Sequence, residues 1–509
     1  MKKGDDLEQG LSGETIDYLA SELQKERRSF TAQDVIKFIR DEGIESLNFC
    51  YVAGDGRLKT LSFAPGGEQH LNRILHEGER VDGSSLFSYI DTGNSDLYVV
   101  PRYSTAFVNP FSTEPTLNLL CSYFDRKGDP LPSGPSNLTH KAMQVVREVA
   151  GVEMLALGEL EYYVVFGEEH EVYPGIPQRN YHESTPFVKW AHLREMAMLE
   201  LARMGALVKY GHSEVGHVPS QGNLRMEQHE IEFLPEPLDV AADHIVLAKW
   251  LLRNFSAEMG VNVTYAPKVG IEHAGSGLHV HIDLLKDGRS QLLDDTGELT
   301  DLSLKANFGM LHLAPALTAF GNTVPTSYLR LMPNHEAPTN ICWGKSNRSA
   351  LVRVPLGWVG ADHMASLANP QDETAAQWKS IPRQTLEYRV SDGSANMHQL
   401  LAGIAAAVVC GYRDADAIKR AKELQVECNL FKDELLMHTF EKLPSSCEES
   451  ASALLHLREY FEADGIFQPD MIEGIAKTLK KYADRDMLKM ARSDEDFTRR
   501  LVSEYFHTG

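Results

Sequence analysis

The sequence predicts an α+β protein with at least two domains. Its 509 residues exceed what one ordinary hydrophobic core organises, and a hydrophobic content of 43% is ample for separate cores. Helix and strand patterns alternate through the middle of the chain, and from about residue 395 onward the pattern is mostly helical. We therefore expect a small domain over residues 31–115 and a large domain over residues 116–509.

The small domain is expected to begin with a helix and a hairpin. Residues 1–30 are polar and charged, so we interpret them as an N-terminal extension. Thr31 is a suitable N-cap, and an apolar stripe at helical spacing follows it. The segment "SLNFCYVAGDGRLKTLSF" alternates around a Gly-Asp-Gly turn, which predicts a β-hairpin, and "SDLYVVPRYSTAFVNPF" adds further strand signal.

The large domain is expected to combine helices with strands. A loop rich in Pro, Gly and Ser over residues 125–137 leads into it. Helical spacing in "HKAMQVVREVA" and "KWAHLREMAMLELARMG" flanks the strand "LGELEYYVVF", residues 157–166. Later strand patterns are "MEQHEIEF", "VNVTYAPKV", "SGLHVHIDLL", "SALVRVPL" and "TLEYRVSD". The apolar run 400–412 is shorter than the roughly 20 residues that a bilayer requires, so it predicts a buried helix.

Charge and cysteine usage narrow the class of protein. The formal charge of −22, from 50 basic and 72 acidic residues, repels phosphate backbones and anionic lipid surfaces, so neither nucleic acid nor a membrane is an expected partner. The six cysteines are scattered without a CxxC motif, which is typical of reduced thiols. The N-terminus lacks the apolar run of a signal peptide, and we expect a cytoplasmic protein.

Polar side chains recur in pairs two residues apart on the predicted strands. Side chains at i and i+2 leave a strand on the same face, so the two acids in "GELEYY" must lie close together. A solvated strand face explains any single pair, but it explains the repetition less well. Carboxylates with imidazoles and without a nearby thiolate suit Mg²⁺ or Mn²⁺. The pairs are Glu159 with Glu161, Glu230 with Glu232, His279 with His281, and Glu387 with Arg389.

Glycines and arginines follow these strands. Gly275 and Gly277 directly precede the histidine pair, as expected where a backbone approaches a ligand closely, although such a pair is more often only a turn. Three arginines then occur between residues 330 and 353. The planar guanidinium binds carboxylate and phosphate bidentately, so this segment is a candidate anion clamp, and surface salt bridges explain it equally well.

These motifs, taken in order, resemble the glutamine synthetase family over roughly residues 31–440. The resemblance implies a small N-terminal β-grasp domain and a large catalytic domain with a curved antiparallel sheet backed by helices. The matching segments are "VDGSSLFSYIDTGNSDLYVVP", "GELEYYVVF", "EQHEIEF", "APKVGIEHAGSGLHVH", "NHEAPTNICWGKSNRSALVRVP" and "LEYRVSDGSANMHQLLAG".

The resemblance also implies two divalent cations, Mg²⁺ or Mn²⁺, which would hold the repelling acids together. One cation would be bound by Glu161, Glu214 and Glu230. The other would be bound by Glu159, His279 and Glu387.

The implied reaction is transfer of phosphate from ATP to the γ-carboxylate of glutamate, followed by attack of ammonia. His281, Arg348, Arg353 and Arg383 would bind ATP. Gly275, Arg330, Arg389, Arg348 and Glu336 would bind glutamate. Asp82, Glu336 and Arg348 would be catalytic: Asp82 would reach in from the neighbouring subunit to deprotonate ammonium, and Glu336 would lie on a flap that excludes water. The implied assembly is a homo-oligomer, a dodecamer of two stacked hexameric rings.

The chain departs from the family pattern at several positions. Residues 217–227 lengthen the segment between Glu214 and Glu230, so Glu227 competes with Glu230 as the metal ligand. Ala274 stands where an asparagine that touches glutamate is usual, and Asp283 stands where a serine near ATP is usual. Phe431 replaces the tyrosine that some bacterial members adenylylate, so that regulation is not expected here.

These departures leave two alternatives to a glutamate–ammonia ligase. One is a ligase that joins glutamate to a polyamine or monoamine. The other is a catalytically silent ring protein, and the filled metal-ligand positions argue against it.

Overall fold

The computed structural model describes residues 16–167, 173–221, 224–332, 337–357, 362–379, 383–430 and 438–509. Within them, an N-terminal α+β domain precedes a larger domain built on a second sheet. Among the described residues, no helix is both long and apolar enough to span a bilayer.

The N-terminal domain is a mixed sheet covered by short helices. The strands are β1 (Ser46–Val52), β2 (Leu58–Phe63), β3 (Glu79–Asp82), β4 (Asp96–Pro101), β5 (Phe107–Val108) and β6 (Thr116–Phe124). The helices are α1 (Tyr18–Leu23), α2 (Ala32–Asp41), α3 (Glu68–Glu77) and α4 (Gly83–Leu86). The sheet order is β2-β1-β6-β4-β3, with β5 on β6, and β1 runs parallel to β6.

The helix and the hairpin predicted at the start of this domain are confirmed. The Thr31 hydroxyl accepts a hydrogen bond from the Asp34 N–H, and the Asp34 carboxylate accepts one from the Thr31 N–H, which forms a capping box on α2. Strands β1 and β2 pair antiparallel around a turn in which Gly56 has a φ of +77°. A glycine suits this position because L side chains rarely adopt that conformation.

The first sheet continues beyond the boundary that we expect at residue 115. Strand β6 pairs with β1 at Cys50 and Leu120, and with β4 at Val99 and Tyr123. The loop from residue 125 onward is therefore the better place to divide the domains. The described part of the N-terminal extension packs on the same domain, because Leu19 is buried in its core.

The larger domain contains a curved sheet with strand order β14-β15-β16-β12-β7-β9-β8, with β10 and β11 on β7 and β13 on β12. Its strands are β7 (Glu153–Gly167), β8 (Val208–Gln221), β9 (Leu224–Phe233), β10 (Glu236–Pro237), β11 (Asn262–Thr264), β12 (Leu278–Lys286), β13 (Arg289–Ser290), β14 (Trp343–Lys345), β15 (Val352–Val354) and β16 (Leu386–Tyr388).

Helices back this sheet and fill the C-terminal part of the chain. They are α5 (Pro135–Ala150), α6 (Ala191–Arg203), α7 (Leu238–Glu258), α8 (Asp301–His312), α9 (Ala314–Gly321), α10 (Pro325–Arg330), α11 (Met364–Ala368), α12 (Met397–Arg413), α13 (Ala417–Glu423), α14 (Cys447–His456), α15 (Arg458–Glu462), α16 (Pro469–Lys480), α17 (Met487–Ser493) and α18 (Glu495–Glu504).

Close packing of the helices leaves one face of the sheet for the cavity. A Cβ at Gly158 would lie 2.9 Å from the side chain of Ile245, so α7 presses directly on β7. Helix α12 contains the apolar run 400–412 and is buried against α5 and α8, as the sequence predicts. Because side chains alternate along β7, the acids on either side of Leu160 point away from this helical layer.

Candidate active site

The face of the second sheet opposite the helices lines a cavity of about 2480 Å³. The predicted metal ligands on β7, β8, β9, β12 and β16 all line it. They come from five strands that are distant in sequence. Strand register therefore decides which side chains meet.

The register places acids and imidazoles directly opposite one another. Glu159 on β7 lies opposite His279 on β12, and Glu161 lies opposite Glu230 on β9. His281 lies opposite Glu387 on β16. Opposite residues on neighbouring strands have Cβ atoms roughly 5 Å apart, so each pair is within reach of a shared ion.

Glu159 is the centre of the first cluster. Its Oε2 lies 2.8 Å from His279 Nδ1, and its Oε1 lies 2.9 Å from His281 Nε2. Burial alone would raise the pKa of Glu159, but the two imidazoles hold it well below its usual range. Burial alone would lower the pKa of His281, and Glu159 raises it instead. The carboxylate is therefore held ionised between two rings.

Glu387 extends this cluster towards the arginines. Its Oε1 lies 3.8 Å from His279 Nδ1 and 3.0 Å from Arg389 Nε. Its Oε2 accepts a hydrogen bond of 2.9 Å from an Nη of Arg353. One carboxylate of a candidate metal-ligand set and two guanidinium groups, which are of the type that binds anions bidentately, thus lie in direct contact.

The second cluster, formed by Glu161, Glu214 and Glu230, brings several carboxyl groups close together. Burial raises the pKa of Glu161 to about 7. Burial and the neighbouring carboxylates, first Glu159 and then Glu161 and Glu214, raise the pKa of Glu230 well above its usual range. Acids packed this closely ionise together only when a cation joins them.

The donor atoms fit a divalent metal. Three sets of residues place one donor atom each within 4.8 Å of the others, and each set combines carboxylate oxygens with an imidazole nitrogen. This donor chemistry suits Mg²⁺ or Mn²⁺. The sets are Glu159, Glu230 and His279; Glu159, His281 and Glu387; and His212, Glu214 and Glu230.

The glycines before the histidine pair have a packing reason. A Cβ at Gly277 would lie 2.6 Å from an Nη of Arg330, and a Cβ at Gly275 would lie 2.8 Å from the Pro267 carbonyl oxygen. The Gly277 N–H donates a hydrogen bond of 2.6 Å to Glu161. These glycines therefore allow close packing against an arginine and a hydrogen bond to a carboxylate, and the approach of this backbone to a ligand stays a prediction.

Thirteen of the residues to which the resemblance gives a metal-binding, substrate-binding or catalytic role line the cavity: Glu159, Glu161, Glu214, Glu230, Gly275, His279, His281, Arg330, Arg348, Arg353, Arg383, Glu387 and Arg389. Asp82 lies elsewhere in its own chain, where it caps α4. Hydrogen bonds from Ser85 and Ser84 hold the pKa of Asp82 well below its usual range. Glu336 and Phe431 lie outside the described residues.

The choice between Glu227 and Glu230 follows from strand parity. Glu230 faces the cavity, whereas Glu227 points the other way, is fully buried, and lies 3.0 Å from His229 Nε2. The added residues extend the antiparallel pairing of β8 and β9, with register shifts after Ser213. The lengthened segment thus keeps Glu214 near Glu230 although they are sixteen positions apart.

Sequence reasoning missed His212 and Lys209, which also line the cavity. His212 Nε2 lies 3.0 Å from Glu230 Oε2, and Lys209 Nζ lies 2.6 Å from Glu232 Oε1. The signal for His212 was available, because it precedes Glu214 by two residues and so shares its strand face.

Two family models match most of the chain. The model described as "Glutamine synthetase, beta-Grasp domain" matches residues 43–126, and the model described as "Glutamine synthetase, catalytic domain" matches residues 133–499. Together with the acid-lined cavity, these matches define the chain as a ligase. It belongs to the glutamine synthetase family, which confirms the resemblance of its motifs and the expected α+β fold.

Relatives and solved structures agree with this assignment. The chain is 27% identical to glutamine synthetases of Mycolicibacterium smegmatis, over 87% of this chain and 93% of that protein, and of Frankia alni, over 92% and 98%. The fold is similar to that of a Plasmodium falciparum glutamine synthetase, with a TM-score of 0.71 at 20% identity over 89% of this chain and 96% of that chain. It is also similar to ligand-free GmaS, with a TM-score of 0.70 at 18% identity over 89% and 97%. Family membership supports ATP-dependent ligation of glutamate.

Proposed function

We propose that the protein forms γ-glutamyl phosphate from glutamate and ATP and then converts it to glutamine with ammonia. The observation that carries this proposal is the junction at Glu387, where a carboxylate suited to a metal touches Arg353 and Arg389. Phosphoryl transfer between anions needs charge neutralisation and alignment more than covalent help, and this junction supplies groups for both.

The acids and the imidazole at the clusters would bind the metal ions. Glu159, His279 and Glu387 would hold one Mg²⁺ or Mn²⁺, because His279 Nδ1 lies 2.8 Å from Glu159 and 3.8 Å from Glu387. Glu214 and Glu230 would hold the second ion. When bound, these ions supply charge neutralisation for the transferred phosphoryl group.

The arginines would bind the anionic substrates. Arg353 and Arg348 would bind the phosphates of ATP, with Arg383 and His281 on the nucleotide side. Arg330 would bind glutamate beside the Gly275 backbone. Each guanidinium offers a planar pair of donors that matches a carboxylate or a phosphate.

A second candidate acceptor is a primary amine with an apolar body. Rings gather beside Glu214: Tyr181 stacks on His182 at 4.2 Å, and His182 lies 4.2 Å from His212, between ring centroids. Ala274, at the cavity wall, offers only a methyl group where the family usually has an asparagine. For this second candidate the product would be a γ-glutamyl amine, and the rings would contact the ammonium group of the amine by cation–π attraction.

An acceptor panel tests the proposal. Phosphate release from ATP with glutamate is measured with ammonium, a monoamine and a polyamine, and the amide product is identified by mass. We expect ammonium to give the highest kcat/KM. A higher value for an amine would establish the second candidate, and no turnover with any acceptor would support a catalytically silent protein.

Glu159→Ala is the matched loss-of-function variant. We expect it to abolish phosphate release and leave assembly intact, because Glu159 contacts both imidazoles at the metal cluster. Turnover near the wild-type level in this variant would remove Glu159 from the metal site.

We also propose a homo-oligomer of two stacked hexameric rings, in which Asp82 completes the site of a neighbouring subunit. Size-exclusion chromatography with light scattering measures the number of subunits.

A cytoplasmic location is supported by the cysteines, all of which are free thiols.

A further inference from the structure

We infer that His212 ligates the metal ion shared by Glu214 and Glu230, and that this imidazole makes the position selective for Mn²⁺ over Mg²⁺. The family resemblance assigns Glu161 to this ion and gives it oxygen ligands alone. The inference concerns metal binding and rests on the proposed function only for the presence of a metal at Glu214 and Glu230.

The distances between donor atoms support this assignment. His212, Glu214 and Glu230 each place a ligand atom within 4.8 Å of the other two. Within this set, His212 Nε2 and Glu230 Oε2 are 3.0 Å apart. The register produces this arrangement, because His212 on β8 lies directly opposite Glu230 on β9.

The tautomer of the His212 ring also suits metal binding. The other ring nitrogen, Nδ1, lies 3.0 Å from the backbone carbonyl oxygen of Ser213 and can only donate to it. In the neutral ring, Nε2 then carries a lone pair that faces the Glu230 carboxylate. A metal-bound histidine characteristically donates its second N–H to a backbone carbonyl in this way.

One oxygen of Glu161 is already engaged in hydrogen bonds. One of its oxygens, Oε2, accepts hydrogen bonds from the Gly277 N–H at 2.6 Å and from Gln228 Nε2 at 3.3 Å. Glu161 is not in the donor set that contains Glu214, whereas His212 is. The position that the resemblance gives to Glu161 is therefore filled more directly by the imidazole.

The preference for Mn²⁺ follows from ligand chemistry. Imidazole nitrogen suits first-row transition metals, whereas Mg²⁺ favours oxygen ligands and keeps its waters. A site of one imidazole and two carboxylates therefore has a higher ratio of Mn²⁺ affinity to Mg²⁺ affinity than a site of three carboxylates.

The test compares Mn²⁺ and Mg²⁺ binding by calorimetry, without nucleotide or glutamate, in the wild type, His212→Gln and His212→Asn. We expect the variants to lose roughly 10-fold or more in Mn²⁺ affinity and much less in Mg²⁺ affinity. Pulsed electron paramagnetic resonance of bound Mn²⁺ should show weaker nitrogen modulation than in the wild type, although His279 still contributes.

The matched control is His182→Gln. His182 stacks in the same ring cluster, so its loss perturbs local packing without removing a donor from the set. Unchanged or increased Mn²⁺ affinity in both His212 variants would overturn the inference, because an imidazolium merely paired with Glu230 competes with the metal. An equal loss in His182→Gln would overturn it too.

The outcome is separable from the acceptor panel. Mn²⁺ binding that depends on His212, together with no turnover, would leave this inference standing and reject the proposed function. Turnover together with metal binding that does not depend on His212 would reject this inference and leave the proposed function standing.

Discussion

At the residue scale, the site depends on how each buried charge is held by its neighbours. Arg330 is buried, and one Nη donates to the carbonyl oxygens of Val390 at 2.7 Å and Ser391 at 3.2 Å. Its other Nη donates to the Arg389 carbonyl oxygen at 3.3 Å. The planar fork of arginine makes this pattern possible, and the point charge of a lysine does not reproduce it.

We therefore expect Arg330→Lys to lower the free energy of unfolding by roughly 2 kcal/mol, because hydrogen bonds from a buried charged group are lost. The KM for glutamate should rise as well. Urea unfolding and steady-state kinetics measure the two effects. Arg147→Lys is the control, since Arg147 is exposed, and an Arg330→Lys protein as stable as the wild type would contradict the expectation.

At the element scale, two close approaches between α8 and α12 fix the helical layer. A Cβ at Gly309 would collide with the Ala407 carbonyl oxygen, and a Cβ at Gly411 would collide with the Lys305 carbonyl oxygen. Both neighbours are backbone atoms, which move only if a whole helix moves. Since α12 also packs on α7, which presses on β7, a shift there would reach the strand that carries Glu159.

Gly309→Ala should destabilise the protein by about 3 kcal/mol through overpacking. Gly167→Ala is its counterpart, because a Cβ at Gly167 meets nothing within 4 Å, and that variant should be close to neutral. Thermal unfolding measures the stability of both variants. Equal midpoints would show that α8 and α12 separate at little cost.

At the scale of the whole molecule, a buried ion cluster joins the two domains. Arg102 of the N-terminal domain lies 2.8 Å from Asp243 on α7, which lies 3.1 Å from His398 on α12. Burial alone would raise the pKa of Asp243, but Arg102 and His398 hold it well below its usual range. The stabilisation is complete above the unfolded pKa of about 3.9 and is lost as the pH falls below it.

Asp243→Asn should cost about 3 kcal/mol at neutral pH, because it leaves Arg102 buried without its anionic partner. The difference in the free energy of unfolding between this variant and the wild type should be the same at about pH 7 and pH 5 and should shrink below about pH 4. Urea unfolding across this range measures it. Glu153→Gln, in an exposed pair, should change little, and a pH-independent difference for Asp243→Asn would refute the linkage.

The proposed ring assembly makes a separate prediction about Asp82. Asp82→Ala and Glu159→Ala proteins should each be inactive alone and should regain part of the activity when unfolded together and reassembled, because some interfaces then combine an intact Asp82 with an intact Glu159. Asp91→Ala, which also removes an exposed turn cap in this domain, should stay active. Mixtures that gain nothing would place Asp82 outside the shared site.

The sequence by itself determined the local features. Periodicity gave the hairpin at β1 and β2, the capped helix α2, the buried helix α12, and the strand face shared by Glu159 and Glu161, because each depends on residues near in sequence. The order of the motifs along the chain predicted the family, because ordered motifs remain recognisable where overall sequence identity is low.

Only the tertiary structure decided which distant groups meet. Strand register brought His212 to Glu230 and both histidines of β12 to Glu159, and parity turned Glu227 away from the cavity. The tertiary structure also places β6 in the first sheet, beyond the domain boundary expected at residue 115. Pairing between strands far apart in sequence is set by the fit of whole faces, and a one-residue slip would exchange every side chain on them.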